Sequence, residues 1–137
     1  MINIIDLRAE LAKLNMLSGR TPETTRTQRE GSSARLATYR DGGIFASKSA
    51  GRGGWERHPD GDELVQIVNG AATLHIVTED GAQSFALSAG MLAIVPQGAW
   101  HRFDYPDGVT LITSTPGQSE YVRLDIDDPR TVEPQRG

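Results

Sequence analysis

Apolar residues along this chain recur with two different periods. Near the N-terminus Leu7, Leu11 and Leu14 fall at helical spacing, with Arg8, Glu10 and Lys13 facing elsewhere and Asp6 placed as an N-cap. Residues 1–17 are therefore expected to hold one short amphipathic helix, of about two to three turns. It needs a surface to lie on, either its own barrel or a partner subunit. Residues 18–33 have no apolar period and read as an extended arm or loop. Arg20, Arg26 and Arg29 in that arm are taken as part of a solvated face, because Glu23 and Glu30 offset them and no glycine-rich cradle accompanies them. From residue 34 the period switches to that of strands. The runs ARLATY, GIFASK, GWERH, ELVQIVN, ATLHIV, QSFAL, MLAIVP, AWHRFDY, VTLITST and EYVRLDI alternate with turn signals such as DGG, PDGD, NG, EDG, PQG and PDG. This texture predicts an all-β antiparallel barrel or sandwich with no internal repeat. The expected division is 1–33 helix and arm, 34–126 β-barrel, and 127–137 a tail that carries two prolines and frays.

Composition narrows the chemistry. The chain has 137 residues, the size of one domain, and no cysteine. That excludes disulfides, thiolate zinc sites, iron–sulfur clusters and a cysteine nucleophile. Any metal must sit on nitrogen and oxygen ligands, and only three histidines, His58, His75 and His101, are present. Fourteen Lys+Arg against eighteen Asp+Glu leave a formal net charge of -4, which argues against a nucleic-acid partner. The aliphatic run Met91 to Val95 is too short to cross a bilayer, so no membrane partner is expected. The N-terminal residues lack the pattern of a secretory signal, which makes the cytoplasm the expected compartment.

Strand parity then gathers candidate ligands. In Trp55-Glu-Arg-His58, Glu56 and His58 share one face while Trp55 and Arg57 take the other. A tight turn through Pro59-Asp60-Gly61-Asp62 brings Glu63 back beside them, with Asp60 and Asp62 stabilising the turn. Further on, Gly90 to His101 gives a strand, a Pro-x-Gly turn and a histidine at the head of another strand, whose face continues through Phe103 and Tyr105. Val65, Ile67, Phe103 and Tyr105 share the ligands' parity and are the candidate pocket wall, or barrel filling. Trp55 and Trp100 have the opposite parity and require cover, from the N-terminal arm or a subunit interface. His75 points away from the apolar face of its own strand and receives no catalytic role.

These two segments resemble the paired motifs of the cupin superfamily. The second motif, G-x5-P-x-G-x2-H-x3-N, is matched by Gly90, Pro96, Gly98 and His101, with Tyr105 in place of Asn. The first, G-x5-H-x-H-x3,4-E-x6-G, is matched by His58, Glu63 and Gly70, with Glu56 at the first histidine and no opening glycine. The resemblance implies a double-stranded β-helix, a jelly-roll β-barrel, preceded here by a short helix and an arm. It also implies a divalent transition metal, Fe, Mn, Ni, Cu or Zn, on His58, Glu63, His101 and Glu56, a donor set unsuited to Mg or Ca. If Glu56 binds, two carboxylates neutralise the dication and favour holding it. If it does not, a two-His, one-carboxylate set keeps open positions, and Glu56 beside it is a candidate general base, with Tyr105 a second candidate hydrogen-bonding group.

Two functions follow from that resemblance. One is a metal-dependent oxygenase, isomerase or lyase acting on a small polar molecule. The other is a non-catalytic module that binds a small ligand or senses metal. A homodimer is expected in either case, since the leucine stripe and the exterior tryptophans need cover.

Overall fold

In the computed structural model, which describes residues 2–137, alternating runs pair into a curled, mostly antiparallel β structure. One helix, α1 (Leu7–Ala12), precedes ten strands: β1 (Leu17–Arg20), β2 (Ser33–Tyr39), β3 (Gly42–Arg52), β4 (Trp55–Arg57), β5 (Glu63–Thr78), β6 (Gly81–Ser88), β7 (Leu92–Val95), β8 (His101–Thr115), β9 (Glu120–Val122) and β10 (Gln135–Arg136). β8 is the hub, pairing with β3 and β4 along one edge and β5 along the other, while β6 and β7 continue from β5. This is the all-β jelly-roll barrel expected from the sequence.

Period-two alternation fills the curl. Val65, Ile67, Ala72 and Leu74 of β5 meet Val95 of β7 and Phe103, Tyr105 and Val109 of β8 in the main core. A second cluster, Leu14, Ala46 and Ile112 with Leu11, Ile44 and Val68 against it, seats the helical segment on the outer side of the sheet.

Two turn signals do not turn the chain. Asn69-Gly70 and Pro106-Asp107-Gly108 lie inside continuous strands, β5 and β8, which run as single 16- and 15-residue elements. Gly70 (φ +81°) pairs with Val109 where the β5–β8 register shifts, next to Gly108 (φ +95°), and a Cβ on Gly70 would collide with the Gly108 carbonyl. The signals mark a barrel corner rather than a hairpin.

Three further expectations are corrected. The helix spans only six residues, although Asp6 caps it as read, its Oδ1 accepting from the Ala9 amide at 3.1 Å. Beyond it the Asn15 amide donates to the Gly31 carbonyl instead, which ends the helix and leads the chain into β1. The arm is not loop throughout, because β1 pairs in parallel with β3 (Leu17 with Ser49, Arg20 with Gly51). The tail does not simply fray: Asp128 caps a turn of 3-10 helix (Pro129–Thr131), and β10 pairs with β9. That C-terminal segment is what covers the tryptophans. Trp55, Trp100 and Val122 pack with Val77, Ile126 and Val132, and Trp55 Nε1 donates to the Ile126 carbonyl at 2.7 Å. No helix among the described residues is long and apolar enough to cross a membrane.

Candidate metal centre

β4 is only three residues long, but its pairing fixes both faces. Glu56 stands opposite His101 of β8 and Tyr121 of β9. Trp55 and Arg57 therefore face the outer cluster, where Arg57 stacks 4.6 Å over the Trp100 ring, and Glu56 and His58 face inward. The loop after His58 is tied to the Pro96–Gly98 turn. The Gly98 amide donates to the His58 carbonyl (3.0 Å), the Gln97 amide to Asp62 Oδ1 (2.8 Å) and Gln97 Nε2 to the Pro59 carbonyl (2.7 Å). Gly98 at φ +75° makes that approach possible. Asp60 ties the same loop to the Gln118 amide (3.2 Å). Two segments distant in sequence are thereby locked together, with Glu63 opening β5 and His101 opening β8 on the same side.

The four side chains converge, with one ligand atom from each of Glu56, His58, Glu63 and His101 lying within 4.8 Å of the others. His58 Nε2 is 3.0 Å from Glu63 Oε2, and His101 Nε2 is 3.2 Å from Glu63 Oε1. Glu56 Oε1 is 3.6 Å from both imidazole Nε2 atoms. Each ring is held at its other nitrogen: His101 Nδ1 donates to the Ala99 carbonyl (3.0 Å), and His58 Nδ1 lies 3.0 Å from Ser119 Oγ. Both Nε2 atoms are thereby turned toward the carboxylates. Thr115 Oγ1 donates to Glu63 Oε2 (2.6 Å) and is backed by Thr113 (3.1 Å), fixing the carboxylate's orientation. Side-chain exposure separates the four residues, at 2%, 3% and 0% for His58, Glu63 and His101 but 40% for Glu56. Three donors are sealed in the barrel, and Glu56 stands at its mouth.

Charge in the metal-free cluster is strongly redistributed. Burial alone pushes both imidazoles toward neutrality, but the hydrogen bonds and charges of Glu56 and Glu63 prevail, raising His58 to about 9 and His101 to about 10. Burial likewise works against the two carboxylates, and the imidazoles still hold both below the usual carboxylate range.

The donor set fits a borderline transition metal. It offers two imidazole nitrogens and two carboxylates without thiolate, and both Nε2 atoms are turned toward the carboxylates, His58 Nε2 at 3.0 Å and His101 Nε2 at 3.2 Å from Glu63.

Of the other nominated residues, Val65, Ile67, Phe103 and Tyr105 are all buried in the main core, and the Phe103 ring meets His101 edge-on at 6.2 Å. His75 lies outside the cluster, between Asp104 and Ser84 at 2.7 Å from each. Sequence reasoning missed Thr113 and Thr115, although they keep the inward parity of His101 along β8. It also misplaced two arginines: Arg20 and Arg29 are not on a solvated face but half-buried, and the Arg20 Nε is sealed from solvent.

A family model described as Cupin domain matches residues 44–112, a span that contains all four convergent residues. A cupin-2 domain containing protein from Shewanella frigidimarina is similar in structure, with a TM-score of 0.60 at 19% identity over 82% of this chain and 94% of that one. A Neisseria meningitidis protein gives 0.60 at 21% identity over 81% and 96%. Hydroquinone 1,2-dioxygenase from a Sphingomonas species, with 4-hydroxybenzoate bound, gives 0.52 at 18% identity over 61% and 64%. No curated protein matches the sequence significantly.

Proposed function

The chain belongs to the cupin domain family, and we propose that it holds one divalent transition metal ion, Fe, Mn, Ni, Cu or Zn, on His58, Glu63, His101 and Glu56 and acts with it on a small polar molecule. The observation that carries this reading is the convergence of four donors whose imidazoles are each fixed at Nδ1. When bound, such an ion supplies Lewis acidity and, for the redox-active metals, electron transfer to a substrate atom.

The chain's own residues divide the remaining work. His58, Glu63 and His101 are the sealed ligands. Glu56 is more distant from the imidazoles than Glu63 is and is open to the mouth, so it accepts a substrate proton there or closes the donor set as a fourth ligand. Val65, Ile67, Phe103 and Tyr105, buried in the main core, supply the apolar wall of the proposed site, and the reaction is oxygenase, isomerase or lyase chemistry on the bound molecule. A second reading, a non-catalytic ligand binder or metal sensor, is favoured by one observation: two carboxylates facing one site neutralise a dication and weaken it as a Lewis acid.

Elemental analysis of untagged protein purified without added metal tests the first claim. Near one equivalent of a transition metal is expected in the wild type and none in His101→Ala, and an empty wild-type protein would sink it. Glu56→Gln separates the roles. Retained metal with lost turnover in an oxygen-uptake and substrate screen makes Glu56 the proton acceptor, whereas lost metal makes it a ligand.

A homodimer is also proposed, on altered grounds now that the tryptophans are covered by their own chain. Ile2, Ile4, Leu92 and Ile94 remain more than half exposed, apolar surface that a second copy would bury. A monomer at micromolar concentration in sedimentation would exclude it.

A further inference from the structure

The arm that carries Arg20 and Arg29 is laid against the barrel by the parallel pairing of β1 with β3. Gly51 stands opposite Arg20, and a side chain there would collide with the Arg20 backbone, so this close approach depends on glycine. Two residues on, a Cβ at Gly53 would sit 3.1 Å from the Tyr105 hydroxyl, 3.8 Å from the Phe103 carbonyl and 4.0 Å from Arg20 Nη2, so phenol and guanidinium border the same point beside a glycine. Arg29 stands on the same arm, in the 3-10 turn Thr27–Arg29, where it alone is not exposed. Burial and the neighbouring Arg20 both push its pKa down, and it feels the charges of Glu56 and Tyr105.

These two guanidinium groups differ from four others that are ion-paired, and from Arg35, Arg40 and Arg123, which have no ion pair but lie over aromatic rings. Arg52 pairs with Asp104, Arg57 with Glu120, Arg102 with Asp125 and Arg130 with Asp128. Among the described residues no carboxylate forms an ion pair with Arg20 or Arg29, and the buried Arg20 Nε makes no hydrogen bond. Two like charges half-buried on one arm without a counter-ion are unfavourable, which makes the spot receptive to an anion. The acid nearest in influence, Glu56, is already engaged by two imidazoles. With a dication balanced by Glu56 and Glu63, the mouth keeps two uncompensated positive charges.

We propose that Arg20, Arg29 and the Tyr105 hydroxyl form an anion subsite at the mouth of the metal centre, which receives the carboxylate or phosphate group of a small-molecule ligand. This names the ligand class of the site proposed above and rests on that metal reading. Guanidinium suits either oxyanion, because its planar fork donates two parallel hydrogen bonds. The arm thereby acts as a selectivity element: it admits acids and discriminates against their neutral amides or esters.

The test is titration calorimetry with malonate and with inorganic phosphate, on zinc-loaded and metal-free wild-type protein and on Arg20→Gln and Arg29→Gln. Wild-type protein is expected to bind at least one of the two anions, and which one it prefers identifies the group. Each variant is expected to weaken that binding by about tenfold or more while its zinc content stays at the wild-type level. Arg20→Lys should recover part of the loss, as a point charge without the fork. Anion affinity unchanged in both glutamine variants, or no binding of either anion by the wild type, overturns the subsite. Zinc content separates the two proposals: a wild type that takes up no zinc overturns the metal reading, while the arginine comparison on metal-free protein still decides the subsite. Arg29 sits on a short surface turn, so Arg29→Gln keeps the test decisive if Arg20→Gln fails to fold.

Discussion

Thr115 is a small residue with a large effect on the cluster. Its hydroxyl holds Glu63 Oε2 at 2.6 Å, with Thr113 behind it, so the carboxylate is aimed before any ligand arrives. Thr115→Val keeps the shape and removes the donor, and metal affinity is expected to fall by about tenfold or more, measured by chelator competition. Protons compete for the same site. With His58 at about 9 and His101 at about 10, both rings are cationic at neutral pH in metal-free protein. Metal binding must displace a proton from each, so affinity should rise with pH until those values are passed, and calorimetry in buffers of different ionisation enthalpy should detect the release. Stability follows the same groups. Each imidazole is raised above its ordinary 6.5, so its contribution is complete below that pH and lost as pH climbs through about 9 and 10. Glu56 and Glu63 are depressed, so theirs is lost on the acid side. The melting temperature of metal-free protein should therefore fall between pH 7 and 10. The four cluster residues were legible in the sequence because strand parity and two turns dictate where they point. Arg20 and Arg29 were not, since an aperiodic arm takes its direction from a ladder with β3 that local pattern does not encode.

Among the elements, β5 and β8 owe their length to a pair of glycines. Gly70 and Gly108 come into close contact where the strand register shifts, and a methyl group on Gly70 has no room beside the Gly108 carbonyl. Gly70→Ala should cost roughly 2 to 4 kcal/mol in urea denaturation, from left-handed strain plus steric overlap. The same register shift explains why the sequence suggested shorter, separate strands. Asn-Gly and Pro-Asp-Gly are common hairpin signals, and only the partner strand decides whether such a glycine reverses the chain or creases it. The helix was misjudged for a related reason. Leucine spacing continues to Leu14, but the Asn15 amide finds the Gly31 carbonyl, and that long-range bond ends a helix that local pattern would extend.

For the molecule as a whole, the two motifs and the β texture made the barrel legible, while the role of the C-terminal segment was hidden. Prolines and mixed charge say nothing about docking, yet Ile126, Pro129 and Val132 are the cover for Trp55 and Trp100 or lie in it. Removing residues 127–137 should shift tryptophan emission to the red and lower stability by about 1 to 3 kcal/mol, read by fluorescence-monitored unfolding. The dispersed origin of the candidate metal cluster has a kinetic consequence. Glu63 and His101 are 38 residues apart, and Ser119, which positions His58, lies 61 residues beyond it. Loop closures of that length are entropically costly, and the four donors are expected to meet only after the rate-limiting barrier is crossed. An ion held there prolongs the lifetime of the native state without hastening its formation. In a chevron, loading with metal should slow the unfolding limb and leave the refolding limb in place.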